Sequence, residues 1–193
     1  MEMNNMAPDI EKTDIDGVVI IKPKVYYDDR GYFFESFKWA DYRIHILKTE
    51  WVQENESKSC YGVLRGLHYQ KEPYAQAKLV RVVKGEVMDV AVDIRKGSPT
   101  FGKYVSVILN DENKKQFLIP RGFAHGFVVL SDEAIFQYKV DNIWDRESER
   151  GIAWNDPDLN IDWKVPTDKL ILSPKDKVHS NLKDIPDKDL FHF

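Results

Sequence analysis

The sequence predicts an all-β protein, a sandwich or barrel, on three observations. Short β-rich runs recur, with turn signals about every 8 to 12 residues. Where alternation can be tested it holds: Val87, Asp89, Ala91 and Asp93 fall on one face of a strand, and Val90, Val92 and Ile94 on the other. Helical periodicity is scarce, and no repeat or low-complexity tract occurs.

The elements follow in order. Gly17 to Lys22, GVVIIK, is β-rich and is followed by Pro23. Asp28-Asp29-Arg30-Gly31 is a turn, and Tyr32 to Phe37 is rich in aromatic residues. A short peripheral helix is expected from Trp39 to Leu47. Val52 to Ser59 is polar and extended, and Val63 to Gln70 reads as a strand. Lys78 to Val83 and Glu86 to Ile94 flank Lys84-Gly85, the signal of a hairpin. Tyr104 to Leu109 is a strand, Asn110 to Asn113 turns, and Gln116 to Ile119, Gly126 to Leu130 and Ala134 to Asn142 complete the series. From Ile161 onward the chain is rich in Pro, Lys and Asp. The expected organisation is one domain over 1–193. Residues 1–16 form an N-terminal extension, and the tail, 164–193, packs back on the barrel.

Composition narrows the function. A chain of 193 residues can bury about 70% of its unfolded surface, so a core needs no disulfide or metal. With 28 Lys and Arg against 32 Asp and Glu the net charge is −4, which disfavours nucleic acid as a partner. No stretch approaches the roughly 20 apolar residues that span a bilayer, so no membrane is expected. Residues 1–14 have neither a basic start nor an apolar run, so no secretory signal is read there. Cys60 is the one cysteine, which fits a reducing compartment, and a cytoplasmic location is expected.

Two segments carry chemistry: VLRGLHYQ, Val63 to Gln70, and IPRGFAHGF, Ile119 to Phe127. In the second, Pro120, Gly122 and His125 are spaced P-x-G-x-x-H. That pattern resembles the second motif of the cupin superfamily, which implies a cupin-like jelly-roll β-sandwich or barrel. Metal-binding cupins carry H-x-H and a glutamate in their first motif. Here His68-Tyr69-Gln70 places an amide where the second imidazole would stand, and Glu72 is the nearest carboxylate. A facial triad needs two His and a carboxylate; Glu72 could complete one, but Pro73 follows it, so a metal is disfavoured and none is expected. Either histidine alone could be a structural residue of a barrel. Arg65 and Lys78, if they point into an apolar barrel, need an anion to offset their burial. Arg65 is out of phase with His68 unless Gly66 marks a bulge.

The chain resembles the dTDP-4-dehydrorhamnose 3,5-epimerase family over about Gly17 to Trp163. The resemblance is carried by DDRGYFFESF (Asp28 to Phe37), WVQENESKS (Trp51 to Ser59), VLRGLHYQ, AQAKLVRVVKGEVMDVAVDIRKGSPTFG (Ala75 to Gly102), IPRGFAHGF, Tyr138-Lys139 and GIAWNDPDLNIDW (Gly151 to Trp163). It implies a cofactor-independent isomerase of dTDP-L-rhamnose biosynthesis acting on a dTDP-linked 4-keto sugar. The ketone acidifies the hydrogens on its two neighbouring carbons. A base removes one, an enolate forms, and an acid returns a proton on the other face; cations stabilise the enolate oxygen.

By resemblance, His68 is the base, Asp176 its carboxylate partner, Tyr138 the proton donor and Lys78 the cation beside the oxyanion. Asp89 and His125 match a second His–carboxylate pair in the pocket. Arg30 and Glu35 match residues that reach the nucleotide from a neighbouring subunit, which implies a homodimer. Gln53, Glu54 and Asn55 match a segment on the nucleoside, where the family usually has Asp in place of Glu54. Arg65, Glu149 and Lys175 match further substrate contacts, the two cations suiting diphosphate oxygens. Where the family often has two tyrosines after the acid Tyr, one of them stacking on thymine, this chain has Ile143 and Trp144. Trp144 or Phe33 would then cover the base. Three alternatives stay open at this point: a single-carbon epimerase, a metal-dependent cupin oxygenase or isomerase, and a sugar-binding cupin without catalysis.

Overall fold

In the computed structural model, which describes residues 7–193, the chain runs through fifteen strands and one α-helix. In order they are β1 (Asp9–Lys12), β2 (Val19–Lys22), β3 (Val25–Asp28), β4 (Gly31–Phe34), α1 (Trp39–His45), β5 (Gln53–Cys60), β6 (Leu64–Gln70) and β7 (Lys78–Lys84). Then come β8 (Glu86–Asp93), β9 (Arg95–Lys96), β10 (Tyr104–Asn110), β11 (Gln116–Ile119), β12 (Phe123–Val129), β13 (Glu133–Val140), β14 (Glu149–Gly151) and β15 (Phe191–His192). A six-stranded sheet, β1-β2-β11-β7-β13-β5, faces a five-stranded one, β10-β8-β12-β6-β14. This is the all-β, cupin-like sandwich that the sequence predicts. Residues 9–12, read from the sequence as part of an extension, join the larger sheet as β1.

Alternation on β8 decides where the core sits. Val87 and Ala91 turn into the space between the sheets with Val80, Val82, Val107, Phe117 and Phe136. Met88, Val90, Val92 and Ile94 turn outward, against Trp163, Val165 and Leu182 of the C-terminal segment. Both faces of β8 are therefore dry, which explains a strand with so few polar residues. Phe136 and Phe127 stack across the sandwich with ring centroids 4.1 Å apart. Burying a side chain of that size contributes about 1.5–3 kcal/mol. On the far side of the larger sheet, Tyr42 of α1 packs on Ile21, Leu79 and Leu118 and donates its hydroxyl to Gln116 Oε1 at 3.0 Å. The tail closes the smaller sheet's outer face, and its end, β15, pairs in parallel with β9.

One expectation is overturned. Lys84-Gly85 does not close a hairpin, because β7 and β8 lie in different sheets. Both edges of β7 are taken by β11 and β13, and both edges of β8 by β10 and β12. Gly85, with φ +79°, turns a corner from one sheet to the other, and a Cβ there would lie 2.0 Å from the Glu133 carbonyl oxygen. The local signal for a sharp turn was sound; which strands pair is set by long-range contacts.

Gly66 is a bulge. Between the pairs His125–His68 and Phe127–Arg65, β12 advances two residues while β6 advances three. A Cβ at Gly66 would fall 2.5 Å from the Gly126 Cα, and its φ is +126°, so only glycine fits. The extra residue brings Arg65 into phase with His68, and both line the same cavity.

Candidate active site

The two sheets part at one end to leave a cavity of about 660 Å³. The larger sheet supplies Gln53, Asn55 and Ser57 from β5, Lys78 from β7, and Phe136 and Tyr138 from β13. The smaller sheet supplies Arg65, His68 and Gln70 from β6, His125 and Phe127 from β12, and Glu149 from β14. Trp144, Ser173, Lys175 and Asp176 complete the wall from the later loops. His68 and Tyr138 thus come from opposing sheets and face one void.

His68 Nε2 lies 2.5 Å from Asp176 Oδ1. Asp176 Oδ2 accepts from the Ser173 hydroxyl at 2.8 Å, and the Asp176 backbone N–H donates to the Ser173 carbonyl. This tight turn is how an irregular tail aims a carboxylate. Burial pushes the Asp176 carboxyl up, but His179, His68 and Ser173 outweigh it and hold it well below the carboxylate range. For His68, burial outweighs the carboxylate and lowers the imidazole below its ordinary value. The ring is therefore neutral near pH 7. With Nε2–H donating to Asp176, its lone pair rests on Nδ1, as a base requires.

A second pair lies deeper. His125 Nε2 is 3.0 Å from each oxygen of Asp89, which reaches the cavity only through this imidazole. Burial lowers His125 and raises Asp89. Burial also pushes the Lys78 ammonium down to about 8, against the pull of Asp89 and Glu149. Tyr138 is raised by burial, offset in part by the Asn55 side chain and the Arg65 charge, so its phenol stays protonated. Arg65 donates Nε and Nη2 to Ser59 Oγ at 3.2 and 3.1 Å. Lys175 pairs with Glu149 at 2.6 Å. A cavity holding Arg65, Lys78 and Lys175 suits a polyanion, and a phenol opposite an imidazole suits moving protons across a bound molecule.

Not every expected residue lines this space. Strand alternation sends Gln53 and Asn55 in and Glu54 out, to pair with Lys139 at 2.7 Å. Arg30 and Glu35 stand outside the cavity; Arg30 sits on the β3–β4 turn, its side chain 90% exposed and paired with Asp28. Gln70, at the place of a cupin ligand histidine, is fully engaged: Nε2 donates to the carbonyls of Tyr74 and Ile143, and Oε1 accepts from the Asp145 N–H. It ties two loops together. Glu72 is exposed and does not reach the cavity. Sequence reading passed over Ser173, whose spacing three residues before Asp176 is a turn signal. It also passed over His179, for which no local signal exists.

Comparison with known proteins gives a consistent picture. The model of the dTDP-4-dehydrorhamnose 3,5-epimerase family matches residues 12–184. The dTDP-4-dehydrorhamnose 3,5-epimerase of Shigella flexneri is 59% identical over 166 residues, 86% of this chain and 91% of that protein. The protein of that name from Methanothermobacter thermautotrophicus is 51% identical over 176 residues, 91% of this chain and 95% of its own. Among solved structures, a dTDP-6-deoxy-D-glucose-3,5-epimerase from Legionella pneumophila, in complex with dTDP-4-keto-L-rhamnose, superposes with a TM-score of 0.92. It is 50% identical, covering 96% of this chain and 98% of that one.

Proposed function

We propose, since this chain belongs to the dTDP-4-dehydrorhamnose 3,5-epimerase family, that it inverts C3 and C5 of dTDP-4-dehydro-6-deoxy-D-glucose. The product is dTDP-4-dehydro-L-rhamnose, and the route is that of dTDP-L-rhamnose. One observation carries the mechanism: His68 and Tyr138 stand on opposing sheets of a single cavity that also holds Lys78.

Neutral His68 takes the proton from the carbon beside the ketone, and the charge that develops on its ring is stabilised by Asp176. The C–H electron pair forms the enolate, whose negative oxygen meets the Lys78 ammonium. Tyr138 returns a proton to the same carbon from the other face, so the centre inverts. The tyrosinate regains a proton from solvent, and His68 releases the one it took. The ketone flanks both carbons, so the same pair serves each in turn. Arg65 and Lys175 receive the diphosphate, which releases Glu149 from Lys175. Gln53 and Asn55 contact the nucleoside, and Trp144, on the cavity rim, covers the base.

The residues that stand outside the cavity fit a second copy. The β3–β4 hairpin exposes Tyr27, Tyr32 and Phe33 at 70%, 54% and 63%, an aromatic arm with little to cover it in one chain. Seated on a partner, it would carry Arg30 and Glu35 to the partner's nucleotide, making a homodimer. A sedimentation mass of one chain would remove that arrangement. No helix among the described residues is long and apolar enough to cross a membrane. We place the enzyme in the cytoplasm, in keeping with the free thiol of Cys60; cell fractionation checks it.

The function is tested by NMR after incubation with dTDP-4-dehydro-6-deoxy-D-glucose in D2O. Deuterium at both C3 and C5 with conversion to the L-rhamno sugar is expected. Exchange and inversion at one carbon alone would make this a single-carbon epimerase, and binding without exchange would make it a sugar-binding protein.

The pH profile follows from the two perturbed groups. Activity depends on His68 being neutral, so kcat/KM rises as pH climbs through a value below the ordinary 6.5 of imidazole. It depends on Lys78 being charged, so kcat/KM falls as pH passes about 8. Tyr138 loses its proton only above its ordinary range and does not set this limb. Lys78→Met should lower the rate at every pH and abolish the fall near 8. An unchanged alkaline limb in that variant would assign it to another group.

A further inference from the structure

We propose that His68, Asp176 and His179 form a site for a divalent transition-metal ion of the Zn2+ type, and that the bound ion switches the base off. The three donor atoms lie within 4.8 Å of one another. His68 Nε2 and His179 Nε2 converge on one oxygen, Asp176 Oδ1, at 2.5 and 3.7 Å. The two rings meet edge to face with centroids 5.8 Å apart.

The position of His179 is built into the fold. Its ring lies against Gly151, the register partner of His68 on β14. A Cβ at Gly151 would fall 2.3 Å from His179 Nε2, so the seat exists only because that residue is glycine. His179 Nε2 is itself buried and has no hydrogen-bond partner. A buried polar atom left without a hydrogen bond is unfavourable. In the reaction as proposed, the His179 ring only lies beside Asp176 and touches no reacting atom. It is the group that makes two imidazoles and a carboxylate, the donor set that imidazole-preferring divalent ions take, with further positions open to the cavity.

Geometry says what binding would do. Tetrahedral donors around zinc stand about 3.3 Å apart. The His179–Asp176 separation is near that already, whereas the His68–Asp176 contact must open to admit the ion. Ser173 keeps hold of Asp176 Oδ2, so the carboxylate stays in place and the His68 ring moves. Metal and base catalysis therefore exclude each other. Lys175 would repel a cation, but its charge is matched by Glu149 at 2.6 Å. The cupin metal layout would share His68 but join it to His125 and the position of Gln70, where this site joins it to Asp176 and His179.

The binding claim stands independently of the proposed function, while the inhibition rests on it, and the experiment separates the two. Full-length protein carrying Cys60→Ser, which removes the exposed thiol as a competing ligand, is titrated with Co2+ alone. One equivalent is expected, with visible d–d absorption. Zn2+ alone should then inhibit substrate deuterium exchange and EDTA should restore it. His179→Phe, and His179→Asn as a second variant should the first fold poorly, are titrated in the same way. Each should weaken Co2+ binding about tenfold or more, since loss of a ligand exceeds loss of an outer contact. No stoichiometric uptake, or equal uptake without His179, overturns the site. Uptake without loss of exchange overturns the inhibition, and exchange that rises with metal would make the protein a metal-dependent enzyme.

Discussion

His68→Ala is expected to lower both substrate deuterium exchange and product formation by about 10³–10⁴-fold, the upper part of what a positioned base supplies. The side chain is 21% exposed and its ring packs edge-on to His179, so its removal opens space at the cavity wall and not in the core between Phe127 and Phe136. The cost to stability falls mainly on Asp176, 2% exposed, which loses its closest partner and keeps Ser173. That places the loss at about 1–3 kcal/mol. The proposed nucleotide contacts, Gln53 and Asn55, lie on the opposing sheet's part of the cavity, so the affinity for dTDP should change little. Asp176→Asn makes the contrast. It keeps the imidazole but removes the charge that stabilises the protonated ring, and should fall between His68→Ala and the parent. The measurement is the rate of deuterium entry at C3 and C5 by NMR, read beside the dTDP Kd and the urea midpoint. His68→Ala retaining more than about a tenth of the exchange rate would assign abstraction to another base, since a positioned base is worth at least about 10²-fold.

How far the sequence carried this site depends on how local each signal was. The alternation over Val87 to Ile94 is local, and it separated the two faces of β8 correctly. The condition that Arg65 could join His68 only through a bulge at Gly66 is also local, and the register of β6 against β12 meets it. Lys84-Gly85 shows where local reading stops: it marks a sharp corner, but which strands pair across it is decided by β11, β13, β10 and β12. β14 is three residues, Glu-Arg-Gly, too short for any period to show, yet it carries Glu149 and the Gly151 seat of His179. The His68–Asp176 contact joins residues 108 positions apart. No spacing rule spans that distance, so only the family resemblance pointed to Asp176, and nothing pointed to His179. Gln70 was legible as the wrong residue for a metal, but its work in tying the Tyr74 and Ile143 loops together needed coordinates.

Tyr138→Phe is expected to divide what His68→Ala removes together. The phenyl ring can keep its place, because the side chain packs on the interior core beside Phe136, with centroids 6.1 Å apart, and only the hydroxyl is lost. Stability should therefore change by about 1 kcal/mol or less, the value of one hydrogen bond. His68 still faces the carbon acid, Lys78 still meets the enolate oxygen, and abstraction continues. Once the imidazolium has exchanged that proton with D2O, a deuteron can return from it on the face the proton left, which restores the original configuration with deuterium in place. Return to the opposite face has lost its donor and depends on water reaching a half-buried wall. Net inversion should fall by about 10²–10³-fold, while deuterium entry falls far less. The ratio of exchange to inversion, measured by NMR in one D2O incubation, is the observable that a purely structural tyrosine would leave unchanged. Were exchange and inversion to fall by the same factor, donor and base would not act from separate sheets, and the two-walled mechanism would give way to one in which Tyr138 assists abstraction itself.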